Sequence, residues 1–438
     1  MKKIKFLLFV LLALLYVTNA NALIVNNTFT RDGNTYRVTK MDEAHDGIPK
    51  TYNVAFVSST NTTVNIPATV VDPNNQYTFN VTAIANNSTV PNATSVTMPN
   101  TIVRIEANAF KDGNITSITI PQSVKEIQSG AFGQMSYLTA INVDAANPNF
   151  RSDNGVLIEK KDSKEWVAAY PLARPDAEYT VPEGVYGVYT NAFQRASYLT
   201  KITLPASLKE SPSTAEFNGY TSAQNLREIA VAAGNTAFKS VDGVLLSADG
   251  KKLIAYPNGK AGSPSTNPAY QGVTGQPNAS VYKIPDGVES IEQAAFAQVN
   301  GLTAIELNGV KKLAKGAFDK AVKLRNVLLG PSVDTIEDGA FGGNNDLAAF
   351  DVDPANPNYA ADNGVIYTKN KEELVLFPAG KAGEYTTLPT TKKIRNRAFY
   401  YAQKVTKVTF NSNLEIIDND AFQATTKLAN ITFEASKD

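Results

Sequence analysis

One histidine, His45, stands in "MDEAHDGIPK" beside Asp42, Glu43 and Asp46. An imidazole next to a carboxylate is the minimum equipment of a general base. Nothing else in the stretch joins it, and the segment reads as a polar loop. The chain has no cysteine, so it has no thiolate nucleophile, no thiolate metal site and no disulfide framework. A metal would rest on carboxylates alone. Asp144 in "INVDAANPN" and the pair Asp351 and Asp353 in "FDVDPANPN" offer the oxygen ligands calcium takes. They stand far apart in the repeat order set out below, however, and Asp or Asn at a strand end closes a turn through its own backbone. Neither a G-x-S-x-G elbow nor a phosphate-cradling glycine loop occurs. The expectation is a protein with no catalytic, cofactor or metal site.

The chain has 438 residues, 43% of them hydrophobic and 19% charged, which is globular composition but too long for one compact core. Lys+Arg and Asp+Glu are both 41, so no basic field draws nucleic acid and no polybasic run draws an anionic membrane. The start, "MKKIKFLLFVLLALLYVTNANA", has three lysines, an apolar run from Phe6 to Val17 and a small-x-small site at Ala20-Asn21-Ala22. It is expected to be a secretory signal peptide over 1–22, cleaved after Ala22. With no cysteine to carry a lipid, the product is expected to be secreted or at the cell surface and not a lipoprotein, with no integral membrane segment.

The remaining text repeats. "SVKEIQSGAFGQMSYLTAINV" at Ser123 returns as "VESIEQAAFAQVNGLTAIEL" at Val288 and "VDTIEDGAFGGNNDLAAFDV" at Val333. Nine units are found, marked by Phe110, Phe132, Phe193, Phe217, Phe296, Phe318, Phe341, Phe399 and Phe422, spaced 22 to 24 residues where nothing intervenes. Five residues before most of these stands an aliphatic, such as Ile127, Ile336 or Ile394. The unit of Phe217 is degenerate, with Pro212 and Glu216 breaking the pattern. Ala55-Phe56 and Ala237-Phe238 lack the flanking pattern and are set aside. After each Phe comes an L-x-x-I-x-L-like run that ends in β-branched alternation, a short strand. A period in the twenties with one strand per repeat marks a leucine-rich solenoid. One unit buries too little to offset its ordering entropy, but stacked units share a core. The Leu, Ile, Ala and Phe positions should face inward, each Phe against the next.

The V-x-x-I-x-x-x-A-F…L-x-x-I-x-L-P unit resembles the BspA-type leucine-rich repeat family over roughly residues 81 to 436. That resemblance implies a surface or secreted protein of host-associated bacteria or protists, working in adhesion. The fold expected is an α/β solenoid, rich in β: a leucine-rich repeat right-handed superhelix of short strands and short helical turns with three β-hairpin insertions. Residues 23–100 should form an N-terminal β-hairpin, turning at Asp32-Gly33, and a capping repeat in which Thr89 replaces the Phe. Residues 101–438 should form the solenoid.

The insertions lie near 147–180, 235–285 and 356–390. Each has an aromatic (Phe150, Phe238, Tyr359), a Gly five residues on, a strand, a polar turn, a second strand and an aromatic-Pro pair (Tyr170, Tyr256, Phe377). Their apolar strands favour rings that pack on the solenoid; exposed rings would instead serve a ligand. The second also holds "GKAGSPSTNPAYQGVTGQPNAS", a loop by composition.

The outward residues of the repeat strands form the candidate ligand surface: Thr119, Asn142, Thr203, Glu306, Asp351, Thr409 and Thr432. The face is polar and almost free of aromatics, which suits a protein ligand, such as a host extracellular or cell-surface protein, better than a sugar. A glycan-binding accessory protein using the aromatic hairpins is the alternative.

Overall fold

The computed structural model describes residues 25–42, 51–74, 76–189, 192–193, 195–210, 223–264 and 280–435. The expected signal peptide, His45 with Glu43 and Asp46, the degenerate unit around Phe217, and residues 265–279 lie outside them. The chain divides into two compact units, Met1–Pro175 and Asp176–Asp438.

Each repeat turn contributes two strands, because each turn has two apolar runs with a bend after each. The V-x-x-I run gives a strand of two residues and the I-x-L run a strand of four. In the second unit Ser290–Ile291, Lys312–Leu313 and Thr335–Ile336 pair in parallel as one ladder. Ser280–Lys283, Ala304–Leu307, Asn326–Leu329 and Ala349–Val352 form the other. Both ladders place one turn directly on the next. Ile305, Val327 and Phe350 are aligned and buried, as are Leu307 and Leu329. The unit is a β-solenoid.

In the first unit the same ladders run through Arg104–Ile105 with Glu126–Ile127, and Ser117–Ile120 with Ala140–Val143. Ahead of them the antiparallel strands Thr28–Arg31, Asn34–Asp42 and Thr51–Ser59 lead to Thr78–Thr89, which pairs in parallel with Thr51–Ser59 and with Arg104–Ile105. The first hairpin turns at Asp32 (φ 51°) and Gly33 (φ 78°). Phe56, outside the repeat pattern in the sequence, is fully buried with its ring 5.9 Å from that of Phe110. Its backbone lies in the row of Ile84 and Ile105, and its ring meets that of Phe110 from there.

The short helical turns do not form: among the described residues no segment is helical. The reason is backbone handedness. In five turns of the second unit the residues two before and two after the Phe both have positive φ: Ala294 and Gln298, Gly316 and Lys320, Gly339 and Gly343, Arg397 and Tyr401, Asp420 and Ala424. A left-handed residue on each side leaves only three positions between them, too few for a right-handed helical turn. The corner instead closes by hydrogen bonds to the next turn. The Phe296 N–H donates to the Ala317 carbonyl at 2.7 Å, and Phe318 to Ala340 and Phe399 to Ala421 at 2.8 Å. The rings stack accordingly: Phe296 on Phe318 at 5.0 Å, Phe318 on Phe341 at 4.6 Å with planes 2° apart, and Phe399 on Phe422 at 4.6 Å.

The three insertions are three-stranded meanders. Phe150–Asp153, Val156–Lys161 and Lys164–Ala169 form the first; Phe238–Val241, Val244–Ser247 and Lys252–Ala255 the second; Tyr359–Asp362, Val365–Thr368 and Glu373–Leu376 the third. Their first turns are Asn154-Gly155, Asp242-Gly243 and Asn363-Gly364, both residues left-handed, as a two-residue hairpin demands. Gly364 also allows close approach, since a Cβ there would lie 2.8 Å from that of Ala349.

In the second unit the meanders are turns of the solenoid. The third strands, Lys252–Ala255 and Glu373–Leu376, pair in parallel with Ser290–Ile291 and Lys393–Ile394, the place of a V-x-x-I strand. The aromatic before Pro takes the place of the repeat Phe. Tyr256 and Phe377 donate their N–H to Ala295 and Ala398 at 2.8 Å and stack on Phe296 (5.0 Å) and Phe399 (4.6 Å).

Candidate interaction surface

The seven candidate residues sit on the outward side of the I-x-L strands, four residues long except Val405–Phe410 with six, where the pleat alternates them with the core. In the first unit Thr119 and Asn142 are register partners and both exposed. In the second, Thr203 lies between Thr180 and Ala230. Glu306 and Asp351 share a row that runs Lys283, Glu306, Leu328, Asp351. Thr409 and Thr432 share the row of Thr386, with their hydroxyls 2.9 Å apart. The strands bearing Thr203, the Glu306 row and the Thr409 row belong to three separate sheets. Thr203, Glu306 and Thr409 are half-buried; Asp351 and Thr432 are exposed.

Rows like these present short polar groups at the inter-strand spacing of about 4.8 Å. Ion pairs stitch neighbouring turns beside them: Lys201 to Glu228 at 3.1 Å and Lys407 to Glu384 at 3.1 Å. Such half-exposed pairs set register more than stability. Partial desolvation raises the Asp351 carboxyl above its ordinary value, although the side chain keeps an exposed edge; its register neighbour is the apolar Leu328.

The Asp and Asn residues of the two "NPN" motifs have a structural task. Asp144 and Asp353 each accept a backbone N–H two residues on, from Ala146 at 2.9 Å and Ala355 at 2.8 Å. The buried Asn356 amide donates to the carbonyls of Gly330 (2.8 Å) and Val333 (3.0 Å), and its oxygen accepts from the N–H groups of Asn358 (2.8 Å) and Tyr359 (2.9 Å). Asn147 does the same with Pro121, Val124, Asn149 and Phe150, and Asn235 with Pro205, Leu208, Ala237 and Phe238. Each is a clip that ties the entry of a meander to the preceding turn. Among the described residues no three His, Cys, Asp or Glu side chains converge as a metal would require. The sequence signal for the clip was the recurrence of Asn three residues before the meander's first aromatic.

The rings before Pro are inside: Tyr170 is 2% exposed, Tyr256 0% and Phe377 5%. Phe150, Phe238 and Tyr359 are buried as well.

Parallel ladders of two-residue and four-residue strands, a stacked aromatic column and outward polar rows define a leucine-rich repeat β-solenoid. The chain belongs to the BspA type leucine-rich repeat family, whose model matches in six copies over residues 52–152, 177–241, 275–370 and 381–438. Among solved structures it is similar to the pneumococcal vaccine antigen PcpA (16% identity, 94% of this chain and 100% of that one, TM-score 0.43). It is also similar to a leucine-rich cell surface protein of Faecalibacterium prausnitzii (17%, 94% and 96%, TM-score 0.36). A third is a leucine-rich repeat protein of Bacteroides ovatus (16%, 93% and 100%, TM-score 0.32). No curated protein matches the chain. No helix among the described residues is long and apolar enough to cross a membrane, which says nothing of a span built from strands.

Proposed function

We propose that this protein is a non-enzymatic, exported scaffold that binds other proteins through the outward face of its four-residue strands, and that its work is adhesion to host or other cell surfaces. The observation that carries this reading is the face itself. In each unit the outward positions are mostly polar, Thr119 and Asn142 in the first and Lys283, Glu306, Asp351, Thr409 and Thr432 in the second, with Ala230 and Leu328 among them and no aromatic ring. A polar surface of this kind suits a protein partner, and it offers no ring on which the apolar face of a neutral sugar could stack. Membership of a repeat family that forms scaffolds supports it further. Burial of Tyr170, Tyr256 and Phe377 weighs against glycan binding by the hairpins.

The test is an immobilised full chain offered to a panel of extracellular-matrix proteins and, in parallel, to a glycan array. Saturable binding to a matrix protein that falls at least about tenfold in Thr409→Arg or Thr119→Arg supports the reading. Binding to glycans alone, or binding untouched by both substitutions, overturns it. Export rests on the N-terminal leader, so protein from the native host should begin at Leu23 and carry no lipid. Bulk protein starting at Met1 contradicts it.

A further inference from the structure

We propose that a charged notch in the second unit, lined by residues that follow its two-residue strands, binds the carboxylate of an acidic saccharide such as a uronic acid. The notch follows from a shortened corner. In ordinary turns the aliphatic of the two-residue strand precedes the ring by five positions, as Ile336 precedes Phe341 and Ile394 precedes Phe399. In the third meander Leu374, the register partner of Ile394, precedes Phe377 by only three. Two corner residues are missing, so the rim of corners is interrupted between Glu337–Asp338 and Asn396–Arg397. A cavity of about 540 Å³ opens there, lined by Lys315, Glu337, Asp338, Asn396, Arg397 and Asp420.

Its walls are built for a charge. Tyr400 leans across the gap onto Gly342, where a Cβ would lie 2.5 Å from the ring. The Arg397 guanidinium stacks on that ring, 5.1 Å from its centre. The arginine is therefore held by an aromatic face, and among the described residues no carboxylate forms an ion pair with it; the charge of Lys315 faces Glu337. Glu337 is already engaged, by Lys312 at 2.6 Å and by the Lys315 backbone N–H at 2.8 Å. Asp338 and Asp420 have no cationic partner among the described residues.

The ligand chemistry follows from this mixture. A guanidinium fork free of a partner selects a carboxylate and fixes its orientation. Two carboxylates beside it disfavour an anion that brings no hydrogen-bond donors, while they accept hydrogen bonds from hydroxyls, and the Asn396 amide can both donate and accept. A carboxylate that carries its own hydroxyls satisfies both sets at once. The cavity lies in the size range of small-molecule sites and admits one or two sugar rings. Arg397 occupies a left-handed position (φ 55°) that four other turns of this unit fill with Ala, Gly or Asp. An arginine kept at a strained backbone position is in keeping with a side chain needed there.

The experiment titrates the full chain, by calorimetry and saturation-transfer NMR, with three probes. They are a disaccharide of glucuronic acid and N-acetylglucosamine, the same disaccharide with glucose replacing the glucuronate, and a Gly-Glu-Gly peptide. The acidic disaccharide should bind, and the neutral one and the peptide should bind at least about tenfold more weakly. Arg397→Gln should reduce binding of the acidic disaccharide by a similar factor, and Asp338→Asn, on an exposed side chain, should weaken it with an unchanged melting curve. Equal binding of the neutral sugar, tighter binding of the peptide, no binding at about 10 mM acidic disaccharide, or undiminished binding by a folded Arg397→Gln or Asp338→Asn chain would each overturn the proposal. These outcomes are independent of the matrix-protein panel, which reads the strand face.

Discussion

Removing the Asn356 clip should destabilise the second unit out of proportion to the size of the side chain. Asn356→Ala deletes four hydrogen bonds, two donated to Gly330 and Val333 and two accepted from Asn358 and Tyr359. Each bond is worth about 1 kcal/mol net, and a buried group left without a partner costs about 1–3 kcal/mol. The two carbonyls are partly spared. Gly330 still accepts the Val333 N–H at 3.4 Å, and Val333 still accepts the Asn358 amide at 3.4 Å. The two N–H groups lose their acceptor, and Tyr359 is buried. The sum is about 2–4 kcal/mol. Asn358→Ala, which removes one long bond, should cost under about 1 kcal/mol. Urea unfolding of the two variants gives the difference. Hydrogen exchange adds a local readout, because the Asn358 and Tyr359 amides should lose protection before those of the Phe296–Phe341 turns. A loss below about 1 kcal/mol in Asn356→Ala, or unchanged exchange at those two amides, would refute the clip.

Phe318 is fully buried between Phe296 and Phe341, so Phe318→Ala should cost about 3–5 kcal/mol, with the effect spreading to the neighbouring turns. Thr119→Ala, on the exposed face, should stay within about 0.5 kcal/mol, and similar melting shifts for the two would contradict the register. Arg151 donates two hydrogen bonds to Glu165, at 2.9 and 2.6 Å, and these hold the Glu165 carboxyl below its ordinary value. A depressed carboxyl stabilises the fold above its unfolded pKa and loses that contribution as pH falls through the lower folded one. Arg151→Ala should therefore melt lower than the parent at pH 7, with the gap closing on acidification below about pH 4; a gap independent of pH would contradict the pair.

The repeat frame was legible because every turn must fill the same few interior positions. Ile105 before Phe110, Ile291 before Phe296, or Leu138 before Ile141 is inside for the same reason. Less visible was how the backbone turns the corner. The residue two before the Phe is Asn108, Gly130, Gly316, Gly339 or Asp420 in five units, the residue types that accept positive φ. That signal stands in the sequence, and it argues against the helical turns expected there. The meanders show the other limit. Asn154-Gly155 and Asn363-Gly364 are strong hairpin signals, and they add a strand before the two that the apolar runs suggest. That Tyr256 and Phe377 fill the column position of a repeat Phe depends on pairing between distant strands, which spacing alone does not encode. The notch arises from the same fact, since the missing corner appears only once Leu374 is aligned with Ile394. The seven face residues were placed outward by alternation, and the period of two in a strand puts each of them there.

The most direct test of the whole account concerns the rings before Pro, where the solenoid reading and the ligand-bearing hairpin reading part. Tyr256→Ala and Phe377→Ala should each lower the melting temperature by several degrees, as expected for opening a cavity beside Phe296 or Phe399. Binding to the matrix protein found in the panel should persist at temperatures where each variant remains folded. Melting and binding are to be measured on the same preparations. An unshifted melt with binding lost would contradict the account and move the working surface from the strand face to the hairpins.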